Sequence, residues 1–229
     1  MLNNRTVHLI NLGLKDYKEV WDYQEELFAK SLKAKREAKP ISNSLILCEH
    51  PHVFTLGKSG SDKNLLVTEQ WLKLAGVAFH KINRGGDITY HGPGQTVGYP
   101  IIDLEQFNMG IHDYIFALEE VIIRTLKEYS IISERLEGST GVWLDIHNHA
   151  KVRKICAIGV RASRYVTMHG FALNVNSDLN YFQKIIPCGI PDKKVTSIQS
   201  ELGVDVDIEN VNALLLLYFA EVFRAEIIK

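Results

Sequence analysis

Apolar residues recur along this chain in two rhythms, and the switches between them predict its elements. Thr6 to Leu12 alternates weakly and reads as a first strand. From Tyr17 to Lys39, positions 21, 24, 27, 28 and 32 fall at helical spacing, so a long helix is expected there. Pro40 stops it, because proline cannot donate the N–H a helix requires. Ser44 to Glu49 is a short apolar run suited to a buried strand. His50-Pro51-His52 breaks that run and Val53 to Leu56 resumes it. Trp71 to Ala75 reads as a short helix and Val77 to Asn83 as a strand. Val97 to Leu104 reads as a buried strand. Asp113 to Tyr129 is amphipathic, with Tyr114, Ile115, Leu118, Ile122, Leu126 and Tyr129 on one stripe. The period then returns to two. Val142 to Asp145, Lys154 to Ala162 and Val166 to Val175 are expected strands, with Ile146 to Arg153 a polar turn. Leu179 to Lys184 and Ser197 to Leu202 read as short helices, and Asn210 to Ile227 as a closing helix. No internal repeat or low-complexity linker interrupts the 229 residues, so one mixed α/β domain spanning residues 1–229 is the economical reading.

One stretch departs from both rhythms. Arg84 to Gln95 reads Arg-Gly-Gly-Asp-Ile-Thr-Tyr-His-Gly-Pro-Gly-Gln. Asp87 to Tyr90 would be a short strand that carries polar side chains between two glycine clusters. The plain reading is a hairpin with an elaborate turn; the sharper one is a substrate cradle built from backbone N–H groups. Neither a Walker A loop nor a dinucleotide-binding Gly-x-Gly-x-x-Gly is present, so a phosphate fingerprint is excluded here.

Composition narrows the class. A net charge of −1 leaves no global field to draw nucleic acid or a membrane surface. No apolar run follows the N-terminal Met1 to Arg5, so no signal peptide is expected, and no stretch approaches membrane-spanning length. Three cysteines without a Cys-x-x-Cys argue against a disulfide framework or a zinc site and favour a reducing cytoplasm. His50-x-His52 and His147-x-His149 resemble metal pairs but lack a Cys or carboxylate at ligand spacing.

The cysteines are not equivalent. Cys48 lies in an apolar strand and reads as a small buried hydrophobe. Cys156 lies in Lys154-Ile155-Cys156-Ala157-Ile158-Gly159, where strict alternation would put it on one face with Lys154 and Ile158. Cys188 stands between Pro187 and Gly189, in a turn that would present a thiol for attack. Only a few per cent of an ordinary thiol, with a pKa of about 8.5, is ionised at neutral pH, so a cationic neighbour would activate it. Lys154, heading an otherwise apolar strand, is one candidate. His169 is another, so Cys–Lys and Cys–His pairings both stand.

Together, Arg84 to Gln95, Lys154-Ile155-Cys156-Ala157-Ile158-Gly159-Val160, Met168-His169-Gly170-Phe171-Ala172-Leu173-Asn174-Val175 and Pro187-Cys188-Gly189-Ile190 resemble the lipoyl(octanoyl) transferase family. Leu12-Gly13-Leu14, Glu49-His50-Pro51 and Thr196-Ser197 extend the likeness from about Leu12 to Gly203. The resemblance implies a biotin/lipoate protein ligase type of fold, a mixed β-sheet flanked by helices. It implies an acyltransferase that moves octanoyl groups from octanoyl-acyl carrier protein to a lysine of lipoyl domains, in 2-oxoacid dehydrogenase complexes and the glycine cleavage H protein; a cytoplasmic monomer is expected, although the sequence leaves the oligomeric state open. It implies no cofactor and no metal. By the same resemblance Cys188 forms the acyl thioester and Lys154 lowers its pKa. Substrate would be lined by Arg84, Gly85, Gly86, Asp87, Ile88, Thr89, Tyr90 and His91, by Ala157, Ile158 and Gly159, and by Gly170, Phe171 and Ala172. Cys156, where a small residue such as alanine is expected, and Lys58, where arginine is more usual, depart from the family's pattern. Both implied protein partners are acidic, so Lys58, Lys193 and Lys194 are expected near the mouth of the site. An ATP-dependent ligase of the same fold, a silent acyl-binding module and a cysteine hydrolase are the rival readings.

Overall fold

The computed structural model describes residues 5–186 and 194–229. In chain order the elements are β1 (Thr6–Leu14), α1 (Tyr17–Arg36), β2 (Asn43–Glu49), β3 (Val53–Leu56), α2 (Glu69–Ala75), β4 (Ala78–Lys81), β5 (Ile88–His91) and β6 (Gln95–Ile101). Then come α3 (Leu104–Phe107), α4 (Ile111–Glu128), β7 (Glu134–Leu136), β8 (Ser139–Leu144), β9 (Arg153–Ser163) and β10 (Val166–Asn174). A 3₁₀ turn at Leu179–Lys184 precedes β11 (Lys194–Val195), α5 (Ile198–Leu202), α6 (Ile208–Phe223) and β12 (Glu226–Ile228).

Among the described residues, the main sheet runs β12-β1-β2-β6-β10-β9-β8-β7, with β11 also paired to β9. It is mixed: β1 runs parallel to β2 and β12, while β2, β6, β10, β9, β8 and β7 alternate in direction. Alternation along each strand feeds two cores. On β2, Leu45 and Leu47 enter the core under α4 and α6, whereas Ile46 and Cys48 enter the core under α1. Phe171 and Leu173 against Met168 and Ala172 do the same on β10. Burying each Leu, Ile, Phe or Met among these side chains stabilises the fold by roughly 1.5–3 kcal/mol. A smaller sheet, β4-β3-β5, is closed by α2 and the 3₁₀ turn around Phe54, Tyr90 and Phe182. The fold class expected from the sequence is the one observed. Among the described residues no helix is long and apolar enough to cross a membrane.

Several boundaries differ from expectation for identifiable reasons. α1 starts where Asp16 accepts hydrogen bonds from the N–H groups of Lys18 and Glu19, and ends at Arg36, before Pro40, because Ala38 turns left-handed. The strand expected over Val97 to Leu104 stops at Ile101. Asp103 then caps α3 by accepting from Glu105 N–H, so Leu104 is helical. The closing helix expected to reach Ile227 stops at Phe223, where Arg224 is left-handed. Glu226, Ile227 and Ile228 then pair with Thr6, Val7 and His8.

Candidate active site

A cavity of about 450 Å³ opens between the two sheets. Its floor is the middle of β9 and β10, its near wall is the Arg84–His91 stretch, and its far wall is the start of β8. Lys154, Arg84, Gly85, Gly86, Asp87, Ile88, Thr89, His91, Ala157, Ile158, Gly159, Gly170, Phe171 and Ala172 all line it. Tyr90 does not. Alternation along β5 turns Thr89 and His91 to the cavity and Tyr90 to the core of the small sheet. There it stacks on Tyr181 with centroids 4.8 Å apart, and its hydroxyl lies 2.7 Å from His52 Nδ1.

The near wall is stitched rather than open. Gly57, Lys58 and Ser59 donate backbone N–H groups to the carbonyls of Asp87, Arg84 and Gly86. Gly85 N–H donates to Val160 O at 3.0 Å, and Ile88 N–H to Asp87 Oδ1 at 2.6 Å. The amides of Gly85 and Ile88, which a cradle of backbone donors would use, are thus spent on the protein itself. Arg84, 8% exposed, donates from Nη2 to Thr55 O (2.9 Å) and Oγ1 (3.0 Å), and from Nη1 to Gly85 O (3.1 Å). It braces the wall. A Cβ at Gly57 would come within 2.3 Å of Gly86 O, so the two turns approach this closely only through glycine. The floor depends on the same device: a Cβ at Gly170 would lie 2.1 Å from Gly98 O.

Buried histidines line the inner end. His91 Nδ1 donates to Gln95 Oε1 (2.8 Å), an orientation fixed because Gln95 Nε2 donates to Asn174 Oδ1 (2.8 Å) and Tyr90 O. His91 also stacks on Tyr17 at 5.6 Å. His169 Nε2 donates to Asn83 Oδ1 (2.7 Å), itself held by Glu25. Burial, then the neighbouring His50, pushes His91 down to about 3. Burial, then the positive charge of Arg84, pushes His169 down to about 3. Both imidazoles are therefore neutral at physiological pH. The His50 and His52 nitrogens contact protein groups: His50 meets Lys15 O (2.7 Å) and Tyr99 OH (2.8 Å). His147 reaches Glu134 at 3.7 Å. Among the described residues no group of three or more His, Cys, Asp or Glu side chains could hold a metal.

Lys154 enters from the far wall. Its Nζ donates to Thr140 O at 3.1 Å and lies 4.4 Å from the centre of the Trp143 ring. Its face of β9 differs from the one alternation predicts. Val142 pairs with Cys156 but Trp143 with Lys154, so Ile155 is an extra residue, a β-bulge. The bulge sends both Ile155 and Cys156 into the α4/α6 core and leaves Lys154 lining the cavity with Ala157 and Gly159. Cys156 and Lys154 do not share a face, and burial pushes the Cys156 thiol up, away from ionisation. Cys188 and Lys193 lie outside the described residues. On the C-terminal side Val195 pairs with Lys154; on the N-terminal side Ile186 N–H donates to Asn64 O, and the Asn64 side chain holds Asp87. Lys194 and Val195 line the cavity, and so do Tyr17, Tyr99, Ile115 and Trp143, which the motifs did not flag. Their only sequence signal was aromatic or branched residues in otherwise ordinary elements.

Residues 16–220 match the lipoyl protein ligase A/B catalytic domain. The chain is 57% identical to the octanoyltransferase of Christiangramia forsetii over 98% of each chain. It is 56% identical to that of Flavobacterium johnsoniae over 98% of this chain and all of the relative. Its fold is similar to a lipoate protein ligase from Thermoplasma acidophilum with bound lipoic acid, with a TM-score of 0.70, 16% identity, and coverage of 97% of this chain and 88% of that one. A lipoate-protein ligase A bound with ATP superposes with a TM-score of 0.68 at 15% identity, over 99% of this chain and 90% of that one.

Proposed function

We propose that this chain, which belongs to the lipoyl protein ligase A/B catalytic-domain family, transfers an octanoyl group from octanoyl-acyl carrier protein to a lysine of lipoyl domains. The placement of Lys154 carries this reading: an ammonium held by a carbonyl and an indole face at the wall of a largely apolar cavity. Cys188 is the proposed nucleophile. It falls within the seven residues joining Ile186 to Lys194, and Lys194 lines the cavity.

The Lys154 ammonium favours the Cys188 thiolate. That thiolate attacks the octanoyl carbonyl, the carrier's sulfur leaves, and Lys154 gives it a proton. Lys154 is now neutral. The acceptor amine attacks the thioester, the Cys188 sulfur leaves as thiolate, and Lys154 takes the proton the amine sheds. The carrier thioester is already activated, so no nucleotide is consumed. Ile158, Phe171 and Ala172 offer the alkyl chain apolar walls, worth about 0.8 kcal/mol per buried CH₂.

Intact-mass measurement tests the reading. Mixed with octanoyl-carrier and no ATP, the wild type gains one octanoyl group and Cys188→Ala gains none. Adding a lipoyl domain moves the group onto that domain. Transfer by Cys188→Ala at the wild-type rate, or an absolute need for ATP, would overturn it. Release of free octanoate whether or not a lipoyl domain is present would mark a hydrolase instead.

A further inference from the structure

Glu119 sits on the inward side of α4, 6% exposed, among Leu118, Val121 and Ile122. A carboxylate in such a place is costly unless it is paired. Its two oxygens have separate uses. Oε2 lies 3.2 Å from Arg135 Nε. Oε1 accepts a buried hydrogen bond from Gly141 N–H at 2.9 Å.

That N–H belongs to the peptide unit joining Thr140 to Gly141. The carbonyl of the same unit is the one that receives the Lys154 ammonium. In a trans peptide the N–H and C=O point in opposite directions. A single peptide unit therefore spans from the Glu119 carboxylate on one side to Lys154 on the other. Gly141 makes the approach possible: its φ is +118°, and an added Cβ would lie 2.5 Å from Cys156 O and 3.4 Å from Lys154 Cε.

We propose that Glu119 is a positioning residue for acyl transfer, acting through the Thr140–Gly141 peptide to aim and polarise the carbonyl that seats Lys154. The inference rests on Lys154 being the proton carrier. A peptide whose N–H is bonded to a carboxylate presents a stronger acceptor at its carbonyl, because successive hydrogen bonds polarise one another. When Lys154 is charged, that carbonyl holds it at the cavity wall. When Lys154 is neutral, one of its N–H bonds still points at Thr140 O, which turns the lone pair toward the incoming amine. Arg135 balances the carboxylate from the far side, and the Trp143 ring covers the ammonium.

The test compares Glu119→Gln with Glu119→Ala in the full chain. Glutamine keeps an acceptor for Gly141 N–H and loses the charge; alanine loses both. The alanine variant is expected to lower kcat roughly tenfold, which is about 1.4 kcal/mol on the barrier. KM for octanoyl-carrier and for the lipoyl domain should stay within twofold. The NMR signal of the Gly141 amide proton should move upfield. The glutamine variant should fall between alanine and wild type in both readouts. A kcat that stays within twofold of wild type while the Gly141 signal moves overturns the proposal. So does an equal loss in the two variants. If Glu119→Ala does not fold, Glu119→Gln is judged alone, and wild-type kcat with an upfield Gly141 signal counts against the proposal. Lys154→Met run alongside separates the two levels: full transfer by that variant removes the proposed role of Lys154 and this inference with it, whereas loss there with no effect at Glu119 removes only the inference.

Discussion

The two walls of the cavity are built by opposite means. On the near wall, turns press backbone against backbone, and glycine at positions 57, 85 and 86 lets them meet. Arg84 spends its donors on protein oxygens and ties that wall to Thr55. On the far wall, contact runs through side chains that bear charge: Glu119, Arg135 and Lys154, linked by one peptide. The near wall sets shape, and a fault there should be felt as lost folding. In the proposed mechanism the far wall sets a proton's position, and loss of Lys154 there should be felt as lost rate with folding intact.

Perturbing the far wall and the floor separately sharpens that contrast. Lys154→Met should lower acyl transfer roughly 10³-fold, about 4 kcal/mol on the barrier, with an unchanged midpoint in urea. A comparable fall in stability would erase the distinction. Gly170→Ala, in the floor shared by both walls, should destabilise the fold by about 3 kcal/mol, because Gly98 O occupies the space a methyl needs. Denaturant titration reads this directly, and a stable variant would mean that β10 shifts freely against β6.

Acid probes the inner end. His91 and His169 are held neutral by burial at values near 3, against about 6.5 in an unfolded chain. The unfolded chain binds these protons first, so the stability they confer is complete above pH 6.5 and is lost as pH falls toward 3. Each contributes a slope of up to about 1.4 kcal/mol per pH unit in that window. His91→Gln should flatten the unfolding free energy between pH 6 and pH 4 by about one such slope; an unchanged profile would show that His91 does not titrate on unfolding. The smallest effect is expected far from either wall. Lys81→Met removes an exposed ion pair with Asp62 and should alter stability by less than about 0.5 kcal/mol.

Part of this site was legible from composition: the glycine-rich run Arg84 to His91 departs from both rhythms of the chain. Ala157 to Gly159 and Gly170 to Ala172 entered only through the family resemblance, and of these three runs all but Tyr90 reach the cavity. What misled was local geometry. Period two put Lys154 beside Cys156, but the bulge at Ile155 shifts the phase, and nothing in Lys-Ile-Cys-Ala announces a bulge. Tyr90 shares a run with cavity residues, but alternation turns it away. Glu119 carried no signal at all, since a charged residue in an amphipathic helix ordinarily marks the solvent side. β12 was hidden by the helical rhythm running into Glu226-Ile227-Ile228, where pairing with β1 prevails over local preference. The separate small sheet was equally invisible, because β3 and β5 are each four residues long and their partners are fixed only in three dimensions.

An indole lying 4.4 Å from the Lys154 ammonium gives this molecule a fluorophore of its own beside the proposed proton carrier. The chain has three tryptophans, and Trp21 and Trp71 sit in α1 and α2. A double replacement of those two by phenylalanine would leave a single emitter, through which each half-reaction could be followed in a stopped-flow instrument without labels or coupled enzymes.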